Sequence, residues 1–224
     1  MTIFDTAVLH FVNAFVSRSW TLDAVMAYLV NTRIAGGVCM ALFWWAWVKY
    51  EQDAKSRALL VFSAFATLAS VALAGILGYV LPFRNEPILE SSLNLHSAQT
   101  IILEGPAKWS SFPSVHAAGF FCLAMGLWLV SRRLGAVAFC YALLVICIPR
   151  LYLGLNYPTD ILAGAALGIA IANLARIRGV RRSVARPALE WQRQYPAFFY
   201  LLLFVCTAAV PNLCRTLQDV WALM

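Results

Sequence analysis

The sequence predicts an all-α fold: a polytopic membrane helix bundle of about six transmembrane helices, preceded by N-terminal interfacial helices. Three observations predict it. Of 224 residues, 62% are hydrophobic and only 12% charged, where a soluble domain carries about a quarter charged. Apolar runs near the roughly 20 residues that a bilayer crossing needs recur along the chain. The basic residues sort into alternate connections between those runs.

The first thirty residues are not a clean span. Phe4, Val8, Phe11, Val12, Phe15 and Val16 fall at helical spacing, but Asp5, Asn13, Arg18 and Asp23 interrupt the run. That pattern suits one or two helices lying in the interface; a bent or partial first span is the alternative. No Lys or Arg precedes the stretch and no small-residue cleavage site is obvious, so it does not read as a signal peptide. Six apolar runs follow, at about 34–50, 56–81, 114–131, 134–151, 158–177 and 196–212. The expected organisation is an interfacial segment over 1–32, one membrane domain over 33–213 and a short tail over 214–224.

The formal charge of +7 follows from topology. Lys49, Lys55, Arg57, Arg132, Arg133, Arg176, Arg178, Arg181, Arg182, Arg186 and Arg193 lie in alternate connections, eleven of the 17 basic residues. Arg18, Arg33, Arg84, Lys108, Arg150 and Arg215 lie on the other side. The positive-inside rule places the larger group in the cytoplasm and both termini outside. The cluster over 176–193 then reads as a topogenic, lipid-facing loop. No nucleic-acid module accompanies it, and no nucleic-acid partner is expected. Cys39, Cys122, Cys140, Cys147 and Cys206 sit in the apolar runs and Cys214 near the outer end of the last, without metal-ligand spacing. They read as packing residues, and no metal or cofactor is expected.

This topology brings Arg84, Lys108, Ser114, His116, Arg150, Asn156 and Asp160 to one outer side. The third and fifth spans begin there, so their N-termini offer backbone N–H groups and a positive dipole end to an anion. Ser114 suits a cap for the third span, and Pro158 with Thr159 the start of the fifth. Arg84 and Arg150 add guanidinium groups able to grip phosphate oxygens. Singly, each residue has a structural explanation as a cap or a snorkelling charge. Their convergence on one face favours a phosphate cradle at the lipid–water boundary.

Ser110-Ser111-Phe112-Pro113-Ser114-Val115-His116 and the run Pro149 to Asp160 resemble the second and third signature motifs of the type 2 phosphatidic acid phosphatase family, which shares its fold with vanadium haloperoxidases. Leu81 to Pro87 is similar to a degraded first motif. The resemblance covers roughly residues 56–177. It implies a helical membrane protein acting on a lipid phosphate or polyprenyl diphosphate at the extracytoplasmic face of the cell membrane. It also implies that His116 is the general acid, that Arg84, Ser114 and Arg150 hold phosphate oxygens, and that Asp160 orients the nucleophile. The nucleophile position itself falls at Asn156.

The chain departs from the family pattern in four places. Asn156 carries an amide, whose delocalised nitrogen does not attack phosphorus as imidazole does. Its hydrogen bonds to Asp160 and to a phosphate oxygen are still expected. Glu86 stands where a second Arg is usual. Leu77 or Tyr79, depending on register, stands where a Lys is usual, and Val115 replaces Gly or Asp. Natural divergence fits this set of changes better than an engineered trap. Two functions follow. One is a lipid phosphate phosphatase or phosphotransferase in which His116 or His96 supplies the nucleophile or activates water. The other is a pseudoenzyme that binds a lipid phosphate, or partners another membrane protein, without turnover. A transport role has weaker support, because no broken helices occupy matching halves of the chain.

Overall fold

The computed structural model describes residues 2–31, 33–97 and 110–207. The chain end beyond 207, with Cys214, Arg215 and the expected tail 214–224, lies outside the described residues, as does Lys108. Helix makes up 81% and no strand occurs among the described residues, so the all-α expectation holds.

Helix α1 (Ile3–Asn13) starts at Thr2, whose hydroxyl accepts the Asp5 N–H at 3.1 Å, one half of a capping box. Helices α2 (Trp20–Asn31) and α3 (Arg33–Lys49) follow, then α4 (Ala54–Val80), capped by Asp53 through the Lys55 N–H. The central helix is α5 (Val115–Val130), capped by Ser114. Next come α6 (Arg132–Tyr141), a π-helical stretch over Ala142–Cys147 and α7 (Ile148–Tyr152), which run on as one helix. Helix α8 (Pro158–Asn173) ends in a 3₁₀ turn, and α9 (Arg178–Gln194) and α10 (Pro196–Thr207) complete the set.

By length and composition, Ala54–Val80, Arg132–Tyr152 and Pro158–Arg176 reach what a bilayer crossing requires. Val115–Val130 is shorter, at 16 residues or about 24 Å. It is also the most enclosed, with eleven of those residues buried between α4 and α8. Its close approach to α8 depends on two glycines four residues apart. A methyl group built on Gly164 would overlap the carbonyl oxygen of Ser114, and one on Gly168 that of Ala118. Small residues at such contacts let helix backbones meet where solvent-driven burial is absent. Elsewhere Phe43, Trp47, Leu60, Leu123 and Leu127 join α3, α4 and α5, and Phe199 and Leu203 of α10 close that core.

Two features differ from expectation. The basic connection anticipated as a loop is the helix α9. Ala185 is buried and Ala188, Leu189 and Trp191 pack on the core, while Arg178, Arg182, Arg186 and Arg193 are exposed, so a helical apolar stripe underlies the charge run. The span over 132–152 is not uniformly α-helical. Pro149 has no N–H and its ring would meet the carbonyl four residues back. The wider turn before it takes up that misfit, with the Ile148 N–H reaching Leu143 O instead.

Candidate functional site

The end of α4, the start of α5, the end of α7 and the start of α8 meet at one pole of the bundle, and α1 packs against the last two. Short hydrogen bonds fasten the intervening segments. Ser111 N–H donates to Arg84 O at 2.9 Å, Ser114 N–H to Asp160 O at 3.1 Å and Ile88 N–H to Gly154 O at 2.9 Å. Gly154 has φ +68° with the Ile88 side chain against it, a left-handed turn that suits glycine. Phe112–Pro113 is a cis peptide.

Two polar groupings occupy this pole. The first is built on Arg84. Its Nη1 donates to Asp160 Oδ1 at 2.6 Å and to Thr159 Oγ1 at 2.9 Å, and its Nη2 to Asp5 Oδ2 at 2.9 Å. The guanidinium lies 3.8 Å over the Tyr157 ring, a cation–π contact. Asp5 and Asp160 are both fully buried. Asp160 also accepts the Tyr157 N–H at 2.8 Å, closing the first turn of α8. Asp5 accepts the Thr159 N–H and hydroxyl, each at 3.0 Å. The helix start expected to face an anion therefore already faces one, supplied by α1. Burial raises the Asp5 carboxyl, but the hydrogen bonds from Thr159, Arg84 and Thr2 outweigh it and hold the group below the usual carboxylate range.

The second grouping is built on Arg150. Its Nε donates to Asn156 Oδ1 at 2.8 Å, and its Nη1 lies 3.5 Å from His116 Nε2. Asn156 Nδ2 donates to Ser111 O at 3.0 Å. These partners fix the orientation of the amide, with oxygen toward the guanidinium and nitrogen toward the carbonyl. Asn156 is buried, whereas His116 and Arg150 are half-buried. Glu86, also half-buried, senses the charge of Arg150; burial pushes its carboxyl up and Arg150 partly opposes that.

The structure thus brings Arg84 to Asp160, and Asn156, His116 and Arg150 to one another. Ser114 caps α5 through the Ala117 N–H and bridges to Asp160 through its own backbone. The hydrogen bonds of Asn156 run to Ser111 and Arg150, and the carboxylate oxygens of Asp160 run to Arg84 and the Tyr157 N–H. His96 pairs with α1, its N–H donating to Asn13 Oδ1 at 2.8 Å while Asn13 Nδ2 donates to His96 O at 2.9 Å. Sequence reasoning missed Asp5 and the Ser111 carbonyl. The one available signal for Asp5 was a charge breaking an apolar run, and a backbone carbonyl leaves none. Among the described residues, no group of three or more His, Cys, Asp or Glu is placed to hold a metal ion.

A family model described as the PAP2 superfamily matches residues 59–182, more than half of the chain. No curated protein matches it. Among solved structures it is similar to LpxE of Aquifex aeolicus, at 21% identity and a TM-score of 0.53, covering 79% of this chain and 99% of that one. That likeness concerns the fold. It also aligns with a transmembrane PAP2-type phosphatidylglycerolphosphate phosphatase of Bacillus subtilis, at 15% identity and a TM-score of 0.33, over 80% of this chain and 98% of that one.

Proposed function

The chain belongs to the PAP2 superfamily, and from that membership we propose that it is a multi-pass protein of the cell membrane that binds the phosphate of a lipid phosphate or lipid-linked diphosphate without the family's histidine-nucleophile turnover. The observation that carries this reading is the environment of Asn156. Its amide is held by Arg150 and by the Ser111 carbonyl, and no nucleophile stands at that position. Arg150, His116 and the start of α5, capped by Ser114, remain as the groups that read phosphate oxygens. The excess of Lys and Arg in the opposite connections supports an extracytoplasmic position for this pole.

The test is phosphate binding and phosphate release measured together, with purified protein and a panel of lipid phosphates. Saturable binding with turnover at least four orders of magnitude below that of a histidine-bearing member is expected, the typical effect of losing a nucleophile. Robust turnover that disappears on His116→Ala, with no gain from Asn156→His, would replace this reading with a phosphatase whose active site is rearranged.

A further inference from the structure

We propose that Asp5 is a built-in occupant of the phosphate site: α1 delivers a carboxylate to Arg84 and to the start of α8, and a lipid phosphate gains those donors only when α1 withdraws. This inference rests on the phosphate-binding reading above.

Three observations support it. Beyond the Thr2 N–H of its own helix, the partners of Asp5 are the groups a phosphate would use, namely the Arg84 guanidinium, a backbone N–H in the first turn of α8 and the Thr159 hydroxyl. None of these three is needed to finish α1, whose capping box is closed by Thr2 and Asp5 between themselves. The hold of α1 on the bundle is otherwise slight. Only Asp5, Leu9 and Asn13 of the helix are buried, while Ile3, Phe4 and Phe11 are 91%, 52% and 70% exposed. A helix with one buried apolar side chain depends on its polar contacts for docking, and an apolar outer face gives it a bilayer to rest on when released. Finally, the carboxylates of Asp5 and Asp160 already flank the single guanidinium of Arg84. A phosphate added beside Asp5 would bring like charges together, so the two anions exclude each other.

The far end of the segment is tied down, which makes the motion a swing. Asn13 is bonded to His96, Ser17 Oγ donates to Ser97 O at 3.3 Å, and Tyr152 OH donates to Asp23 at 2.5 Å. Because Asn13 stays on the His96 backbone and the turn over residues 14–17 is fixed through Ser17, the pivot is the C-terminal end of α1, and the turns that carry Asp5 are the part that moves.

The experiment uses the full chain in phospholipid nanodiscs with dihexanoyl phosphatidic acid as probe, comparing wild type, Asp5→Asn and Arg150→Ala. Asp5→Asn keeps the shape and removes the charge. Its affinity should rise by about tenfold or more, because contact repulsion between like charges near a protein surface exceeds the free energy of one decade. In the wild type, saturating probe should speed amide hydrogen exchange across residues 3–13. Unchanged or weaker binding by Asp5→Asn, with wild-type binding that Arg150→Ala still weakens, overturns the inference and leaves the binding reading standing. Binding by Asp5→Asn alone supports the inference and confines the binding reading to the released state. Absence of binding in all three proteins overturns both. If Asp5→Asn does not fold, wild-type exchange decides, and steady protection of α1 under saturating probe overturns the inference.

Discussion

Arg150 Nε donates to Asn156 Oδ1 at 2.8 Å across a six-residue turn. The Asn156 side chain is therefore an acceptor for a cation, where an attacking group would have to present a lone pair to phosphorus. The same bond gives Arg150 a fixed pose, with its Nη1 directed to His116. A preorganised guanidinium is suited to binding, because less side-chain entropy is lost when a phosphate arrives.

Arg150→Ala should weaken binding of a lipid phosphate by roughly 10- to 150-fold, the equivalent of about 1.5–3 kcal/mol for a charge-assisted contact. Titration of the folded variant in nanodiscs checks this, and unchanged affinity would reduce Arg150 to a partner of Asn156.

Asn156→His should restore partial phosphatase activity. The imidazole that replaces the amide would meet the Ser111 carbonyl, now the acceptor for Asn156 Nδ2 at 3.0 Å, which can orient its ring N–H. A carbonyl stabilises the charged ring less than a carboxylate does, so recovery should remain well below that of a natural histidine enzyme. Trapping an acid-labile phosphohistidine together with phosphate release is the measurement. Failure to form the adduct in a folded, binding-competent variant would count against this placement.

Arg84→Ala should be the most damaging change at this pole. It would leave the buried carboxylates of Asp5 and Asp160 without their shared cation, at a cost of about 3–5 kcal/mol for breaking a buried pair. Adding Asp5→Asn should recover part of that loss. A double-mutant cycle on thermal unfolding in lipid reads the coupling, and strict additivity would mean that the pair is not coupled.

Glu86→Gln should raise both phosphate affinity and stability at neutral pH. Burial lifts this carboxyl above its ordinary 4.5, with Arg150 opposing. The folded state thus holds the proton to higher pH than the unfolded chain does, and stability falls as pH rises from the ordinary glutamate range through the raised value. Unfolding measured across that window should slope downward in the wild type and lose that component in the variant. Identical slopes would remove Glu86 as its origin.

Gly168→Val should separate α5 from α8. Even a methyl group there would overlap the Ala118 carbonyl oxygen and approach the Cys122 N–H to 2.9 Å. Overpacking of this kind typically costs about 1–3 kcal/mol. Since α8 carries Thr159 and Asp160, phosphate binding should weaken together with stability. A variant stable to within experimental error would show that the helices part at no cost.

The bundle was readable from composition because a hydrocarbon solvent imposes long apolar runs and leaves few alternatives. The basic run before residue 195 was less so. Its arginines mask the apolar positions Ala185, Ala188 and Trp191, whose helical spacing matters only once α4 and α10 are beside them. At the site, Arg84, Ser114, His116, Arg150, Asn156 and Asp160 were identifiable from motif order, and the structure gathers them at one pole. Their partners were not legible. Asp5 reaches Arg84 across 79 residues and Thr159 across 154, and no local pattern encodes contacts of that range.

The π-helical stretch before Pro149 governs more than local geometry. Each α-helical residue advances the chain by about 100° around the axis, and a π turn spends one residue more per revolution. The azimuth of Arg150 is therefore set upstream, in a segment whose Leu143 and Leu144 are 47% and 57% exposed on the apolar surface. Deleting a single residue between 142 and 147 would rotate the guanidinium about a quarter-turn away from Asn156 and His116. The angular register of Arg150 is thus written in a stretch of helix that leaves two leucines exposed.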